Sequence, residues 1–214
     1  MTHLRAPDAG IRLVLARHGE TPSNLSRILD TVPPGPDLTD SGRAQAEALA
    51  DRFGEGKIVS VHASRAVRAQ QTAAPLARRV GLDVVVVDGL HEVYVGDLEG
   101  RGDDASRERF DAVYDGWHHG HLDERMPGGE SGHEALARFY AAAQPVLDGA
   151  TDGVVVIVSH GALLRLVANR LVSEVSAQRA GESYLPNTGA IVLDADMDTP
   201  TGWRCVDWDG LAEA

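Results

Sequence analysis

The sequence has few of the features that mark exported or membrane proteins. It contains one cysteine, Cys205, so no disulfide can form within the chain, which is consistent with a reducing compartment. No apolar run approaches the roughly 20 residues that a membrane-spanning helix needs. Residues 1–9 carry no apolar stretch before the first strand candidate, which argues against a secretory signal. We therefore expect a cytoplasmic protein with no membrane partner.

Net positive charge is also lacking. Twenty lysines and arginines face 32 aspartates and glutamates, which gives a formal net charge of −12. This balance argues against nucleic acids and anionic membranes as general partners. It provides no global attraction for an anionic substrate either, so a phosphate substrate would require a local cationic pocket.

Segments typical of strands and of helices alternate along the 214 residues, a length that suits a single domain spanning 1–214. The alternation predicts an α/β fold, a three-layer α/β/α sandwich whose central, mostly parallel sheet of about six strands is covered on both faces. Four consecutive valines at 84–87 indicate a buried strand. The predicted strands lie at 11–16, 58–63, 83–88, 154–158, 190–194 and 203–207.

The segments between these strands are predicted to be mainly helical. Thr39 or Ser41 is a candidate cap for the first helix, and four prolines between 22 and 36 exclude a long helix before it. The segment at about 93–131 is rich in Gly, Asp and His, and we expect a lid or substrate-binding insertion there. The predicted helices lie at 40–53, 66–80, 107–117, 134–147 and 163–172.

Polar side chains follow four of the predicted strands. Ligands of parallel α/β sheets bind beyond the carboxyl ends of the strands, so we expect these side chains to converge. They are Arg17 and His18 after the first strand, Ser64, Arg65 and Arg68 after the second, Glu92 after the third, and Ser159 and His160 after the fourth.

These residue types suit phosphoryl transfer. That reaction needs positive charge around three equatorial oxygens, an in-line nucleophile and a proton for the leaving oxygen. The planar forks of Arg17 and Arg68 can each hold two oxygens. His18 can present a lone pair, and neighbouring arginines would help to keep it neutral. Glu92 can supply the proton if its carboxyl is protonated when the leaving oxygen departs.

Five short segments then follow one another in a fixed order over most of the chain. They are 15–21 (LARHGET) with Asn24 after it, 37–46 (DLTDSGRAQA), 64–72 (SRAVRAQQT), 90–100 (LHEVYVGDLEG) and 158–161 (VSHG). Together they resemble the signature of the histidine phosphatase superfamily, which includes the cofactor-dependent phosphoglycerate mutases. The resemblance implies the phosphoglycerate mutase-like fold.

The resemblance also implies a role for each residue of the motifs. His18 would be phosphorylated, while Arg17, Arg68 and His160 hold the transferred phosphoryl oxygens. Glu92 would donate a proton to the leaving group and later activate water. No metal and no cofactor would be required, because two arginines and a histidine supply the positive charge.

Three further residues are candidates for binding phosphate or substrate. Asn24 stands where the family places a pocket asparagine, and Gly161 belongs to the second-histidine motif. Thr31, in the loop after Asn24, is the third. Arg65 is interpreted as a residue at the rim of the site.

A mutase is the alternative reading. Mutases of this family carry an "ERHYG" run and adjacent arginines for the substrate carboxylate, whereas this chain has EVYVG at 92–96 and separates Arg101, Arg107 and Arg109. The Asp at position 30 also replaces part of a substrate-binding Ser-Gly pair and should disfavour a small dianionic substrate. We therefore expect the phosphatase branch, acting on a small phosphate ester and releasing inorganic phosphate.

A second alternative is a catalytically silent module that binds a phosphorylated ligand. Every expected catalytic residue is present, which argues against it. The sequence does not fix the oligomeric state, and a homodimer is possible. Nor does it fix the natural substrate.

Two features of the insertion stay open. His118, His119 and His121 invite a metal interpretation, but their spacing is compressed for one tetrahedral site, so a solvated lid loop is the expectation. Trp117 and Tyr94 either line a substrate pocket or pack the insertion.

Overall fold

The centre of the sheet is formed by the most apolar strands of the sequence. The computed structural model describes residues 3–7 and 10–212. Its six-stranded sheet has the order β3-β2-β4-β1-β5-β6, and β5 alone runs antiparallel to its neighbours. The predicted α/β fold with a mostly parallel sheet is therefore confirmed. The strands are β1 (Ile11–Arg17), β2 (Ile58–Ala63), β3 (Val84–Val86), β4 (Gly153–Ser159), β5 (Ala190–Ala195) and β6 (Trp203–Trp208).

Helices cover both faces of the sheet because alternate side chains of the central strands point to opposite faces. Leu13 and Leu15 of β1 belong to one buried cluster, and Val14 and Ala16 belong to the other. Helices α2 and α3 pack on the second cluster, and α4, α5, α6 and α7 on the first. The helices are α1 (Pro22–Leu25), α2 (Asp40–Phe53), α3 (Val67–Val80), α4 (Asp104–His118), α5 (Gly132–Asp148), α6 (Gly161–Leu171) and α7 (Ala177–Glu182).

The prediction of a buried strand at 83–88 is wrong. β3 has three residues and lies at the edge of the sheet, paired only with β2. Val85 and Val86 are 49% and 47% exposed. An edge strand has a neighbour on one side only, and the run of valines cannot distinguish this position from a central one.

Helix boundaries follow their capping groups. Thr39 caps α2, since its hydroxyl accepts a hydrogen bond from the Gly42 amide at 2.9 Å, and Ser41 lies inside the helix. The loop after β1 holds only the four-residue α1, with Pro22 in its first turn, as the prolines predicted. None of the helices in the described part of the chain combines the length and apolarity needed to cross a bilayer.

The segment at 93–131 is more regular and more buried than its composition indicated. Trp117 on α4 is fully buried in the main cluster, so it packs this segment against the core. Tyr94 is 43% exposed. Neither residue lines the catalytic cavity described below.

The expectation of a solvated lid at the histidine cluster is wrong for one of its members. His118 closes α4 and is 1% exposed, packed edge-on against Tyr114. Burial lowers its pKa to about 4. His119 and His121 are exposed, and each has a carboxylate of its own helix or turn within 4 Å. Within residues 3–7 and 10–212, no group of three or more potential metal ligands is assembled.

Candidate active site

Two neighbouring strands bring the two histidines together. β1 and β4 are parallel, and their last residues, Arg17 and Ser159, are paired in register. The next residue of each chain segment is a histidine, so both imidazoles lie at the same edge of the sheet. The ring centroids of His18 and His160 are 5.1 Å apart, and the His18 amide donates to the Ser159 carbonyl at 3.0 Å.

The surroundings of His18 fix its tautomer. Nδ1 lies 2.7 Å from the Gly19 carbonyl, which can only accept, so Nδ1 carries the proton. Nε2 is left with its lone pair and accepts from Arg68 Nε at 3.2 Å. Burial, then the charges of Arg68 and Arg17, hold the pKa of His18 well below its ordinary value. The imidazole is therefore neutral at physiological pH.

Arg68, on the first turn of α3, is almost fully buried. Its Nη2 donates to the Asp30 carbonyl at 2.9 Å and lies 3.3 Å from His160 Nδ1. Its Nη1 is buried with no hydrogen-bond partner among the described residues, and the Asp30 carboxylate is 3.5 Å away. The backbone at Gly35 passes so close to Arg68 Nη1 that a Cβ at this position would lie 2.1 Å from that nitrogen.

Arg17 is held from the opposite side of the cavity. Its Nη1 donates to the Tyr184 hydroxyl at 2.8 Å and to the Leu185 carbonyl at 2.7 Å, and its guanidinium carbon lies 5.1 Å from the centre of the Tyr184 ring. Its Nε is a second buried N–H group without a partner in the described chain. Gly161 packs against this side chain, since a Cβ there would lie 3.1 Å from Arg17 Cδ.

His160 is oriented by its two neighbours. Arg68 Nη2 can only donate, so the Nδ1 atom that faces it accepts. Nε2 then carries the proton and donates to Ser64 Oγ at 2.8 Å. Burial first, and then the nearby charges, lower the pKa of His160 well below its ordinary value. Arg68 therefore sets the tautomer of the second histidine, and Ser64 accepts the hydrogen bond from its Nε2.

Glu92 reaches the site from the segment after β3. Its carboxylate accepts from the backbone amides of Ala162 at 3.1 Å, Leu163 at 2.9 Å and Val93 at 2.9 Å. It therefore caps the N-terminus of α6, which has no side-chain cap of its own. These contacts fix the carboxylate beside the cavity.

Asn24 and Thr31 differ in what they can offer a ligand. Asn24 Oδ1 accepts from the Thr21 amide and from Asn187 Nδ2, each at 3.1 Å, which leaves its own Nδ2 able to donate. The Thr31 hydroxyl instead donates to Glu99 at 2.5 Å. Thr31 therefore lines the cavity, but its hydroxyl donates to Glu99 and not into the cavity.

All eight residues predicted for the site line one cavity of about 160 Å³. They are Arg17, His18, Asn24, Thr31, Arg68, Glu92, His160 and Gly161. Arg65 does not line it, and is an exposed residue 3.5 Å from the Asp88 carboxylate. Sequence reasoning missed Phe110, Arg165 and Tyr184. Tyr184 lies in a loop without periodicity, and its only signal is an aromatic residue two positions before Pro186.

Comparison with known proteins gives the same assignment for most of the chain. The family model of the histidine phosphatase superfamily (branch 1) matches residues 13–209. The chain is 30% identical over 210 residues to the PE-PGRS family protein PE_PGRS11 of Mycobacterium tuberculosis, covering 91% of this chain but only 36% of that protein. It is 32% identical over 169 residues to a metal-independent phosphoserine phosphatase of Arabidopsis thaliana, covering 77% of this chain and 70% of that protein.

Among solved structures, the chain is similar to mycobacterial glucosyl-3-phosphoglycerate phosphatase in complex with VO3. The TM-score is 0.76 and the sequence identity 28%, covering 94% of this chain and 99% of that chain. The resemblance to the superfamily seen in the sequence motifs is therefore confirmed.

Proposed function

Because the chain belongs to the histidine phosphatase superfamily (branch 1), we propose that it hydrolyses phosphate monoesters through a phosphohistidine at His18. One observation carries this proposal. Two buried guanidinium N–H groups, Arg17 Nε and Arg68 Nη1, have no hydrogen-bond partner among the described residues and flank a neutral imidazole. Buried donors are normally satisfied, and a phosphoryl group supplies the missing acceptors.

In the first half of the reaction His18 Nε2 attacks phosphorus. The lone pair that now accepts from Arg68 Nε becomes the new N–P bond, and the phosphoryl oxygens take its place as acceptors for Arg68. The P–O bond to the alcohol breaks, and a protonated Glu92 gives its proton to the leaving oxygen. Arg17 and the Asn24 amide hold the remaining oxygens, while the neutral His160, whose Nδ1 accepts from Arg68 Nη2, positions that guanidinium.

In the second half water attacks the phosphohistidine. Glu92, now a carboxylate, accepts a proton from this water, the N–P bond breaks, and inorganic phosphate and neutral His18 are formed. The backbone amides at the start of α6 hold Glu92 in position in both halves. Arg17 and Arg68 supply the positive charge that metal ions provide in other phosphoryl-transfer sites. This scheme therefore requires no cofactor.

The substrate proposed is a small phosphorylated metabolite. The cavity of about 160 Å³ accommodates a phosphoryl group and a limited part of the alcohol. Phe110 and Arg107, from the insertion proposed at 93–131, line this cavity. Tyr184 also lines it, and 63% of the surface of Tyr184 is exposed. These residues would contact the leaving group.

The mutase alternative is less well supported. Arg107 lines the cavity and Arg109 does not. Residues two apart on a helix point to different sides, so α4 presents one arginine to the substrate, where the mutases of this family use an adjacent pair. No specific contact favours the silent binding module.

We also propose a cytoplasmic location and a homodimer. The single cysteine supports the cytoplasmic location. The exposed valines of the edge strand β3 support the homodimer, since such an edge can pair with another strand. The net charge of −12 supports a role without nucleic acid.

A screen of phosphorylated metabolites for phosphate release tests the activity. We expect turnover of at least one ester by the wild type and none by His18→Ala. Ester binding without phosphate release would support the silent module. Phosphoglycerate interconversion dependent on bisphosphoglycerate would support the mutase.

A further inference from the structure

A second cavity lies away from the catalytic one, between the first half of α5 and the end of α6. Its volume is about 450 Å³, within the usual range for small-molecule sites. We call it the α5 cavity, and no residue lining it also lines the catalytic cavity. Its lining residues are His3, Gly120, Leu122, His133, Leu136, Ala137, Tyr140 and Arg170.

Two of these residues carry buried donors with no acceptor among residues 3–7 and 10–212. The Tyr140 hydroxyl is one, on a side chain that is only 7% exposed, and the Nε–H of Arg170 is the other. Burial raises the pKa of Tyr140, so the phenol keeps its proton and remains a donor. Unsatisfied buried donors are costly, and each calls for an acceptor.

Arg170 also has no carboxylate among the groups that shift its pKa. Its Nη2 donates to the carbonyls of Trp117 and His118 at the C-terminal end of α4, which leaves its Nε–H without an acceptor. His133 and His3 also line the cavity, and no acidic residue does, although the exposed Asp123 carboxylate lies 3.4 Å from His133 Nε2. In a chain with a net charge of −12, a cavity lined by an arginine and by no acidic residue is a local exception.

The rest of the lining is apolar. Leu122 and Leu136 are buried, and Ala137 is exposed at the mouth of the cavity. A ligand that fits this lining needs an anionic or strongly accepting group for Arg170 and Tyr140, attached to an apolar body. We propose that the α5 cavity is a binding site for a small organic carboxylate with an apolar body.

One helix, α6, connects the α5 cavity to the catalytic cavity. α6 begins directly after His160 and carries Arg170 near its end. Arg170 follows His160 by ten positions, which corresponds to roughly 15 Å along the helix. The bound carboxylate would therefore lie at the far end of the helix whose N-terminus is capped by Glu92.

The proposal is tested by calorimetric titration of the full chain with 3-phenylpropionate. The alcohol and amine of the same carbon skeleton, 3-phenylpropanol and 3-phenylpropylamine, are the matched ligands. Saturating inorganic phosphate is present in every titration to occupy the catalytic cavity. We expect the carboxylate to bind at least tenfold more tightly than the alcohol and the amine to show no binding. Equal affinities, or no carboxylate binding at millimolar concentration, would overturn the proposal.

Three variants locate the site. We expect Arg170→Gln to weaken carboxylate binding at least tenfold and Arg17→Gln, in the catalytic cavity, to leave it unchanged. Ala137→Phe fills the mouth of the α5 cavity without removing a charge, so it should also abolish binding, and it replaces Arg170→Gln if that variant does not fold. If carboxylate binding is lost in Arg17→Gln but retained in Arg170→Gln and Ala137→Phe, the ligand binds in the catalytic cavity and the proposal is refuted.

Discussion

Nε of Arg68 donates a hydrogen bond of 3.2 Å to Nε2 of His18, the nitrogen proposed to attack phosphorus. The contact aligns the imidazole before substrate arrives, and the nearby positive charge disfavours its protonation. The same guanidinium has a further N–H group free for a phosphoryl oxygen. One arginine therefore serves both the nucleophile and the group that it attacks.

Replacing Arg68 should reduce catalysis strongly. We expect Arg68→Gln to lower kcat by about 10²- to 10³-fold, the usual effect of removing one donor that stabilises transition-state charge. Arg65→Gln, three residues earlier and exposed, is the control and should retain activity within about twofold. Steady-state kinetics with p-nitrophenyl phosphate measure both. Equal losses in the two variants would remove Arg68 from the mechanism.

The pH dependence of kcat/KM should report the depressed pKa of His18. The nucleophile is the neutral imidazole, so activity is lost as the pH falls through this pKa. Because the pKa lies below 6.5 in the folded protein, the acidic limb should lie below pH 6.5. Arg17→Gln removes one of the charges that depress it and should move the limb to higher pH. A limb that stays in place or moves to lower pH would contradict the electrostatic account.

His118 should make the protein less stable in acid. Its pKa is about 4 in the folded protein against 6.5 in the unfolded chain, so the unfolded state takes up the proton first. The free energy of unfolding should then fall by about 3 kcal/mol between pH 6.5 and 4 through this residue.

Urea unfolding of His118→Gln at several pH values measures this contribution. We expect a smaller loss of stability on acidification than in the wild type. His119→Gln, at the exposed neighbouring position, should keep the wild-type slope. If the two variants have the same slope, His118 does not supply the effect.

Gly35 should be required for the position of Arg68. Gly35→Ala places a Cβ 2.1 Å from Arg68 Nη1 on a backbone with φ +63°, so the guanidinium must move. Gly81→Ala has a similar φ of +70° and nothing within 4 Å, so it carries the backbone strain alone. Both should lose about 1 kcal/mol of stability. Only Gly35→Ala should lose activity, by tenfold or more in kcat/KM, and a matching loss in Gly81→Ala would show that strain alone is responsible.

The sequence predicted the parts of the site that are fixed by strand ends. Arg17, His18 and His160 follow apolar strands directly, so the parallel pairing of β1 and β4 brings them together. The sequence did not predict the contacts that depend on loop conformation. Nothing in the periodicity of the chain indicated that Tyr184 would hold Arg17, or that Thr31 would give its hydroxyl to Glu99. Likewise, apolar composition alone cannot distinguish an edge strand from a central one, as β3 shows.

Transfer of a phosphoryl group to His18 is measured by intact-protein mass spectrometry after rapid alkaline quenching. Glu92→Gln can neither protonate the leaving oxygen nor activate water, so it should be paired with p-nitrophenyl phosphate, whose leaving group needs no proton. We expect this variant to accumulate one phosphoryl group per chain, located on His18 by peptide sequencing. Turnover by the wild type with the phosphoryl group on another residue, or with no phosphorylated protein in either form, would contradict the account.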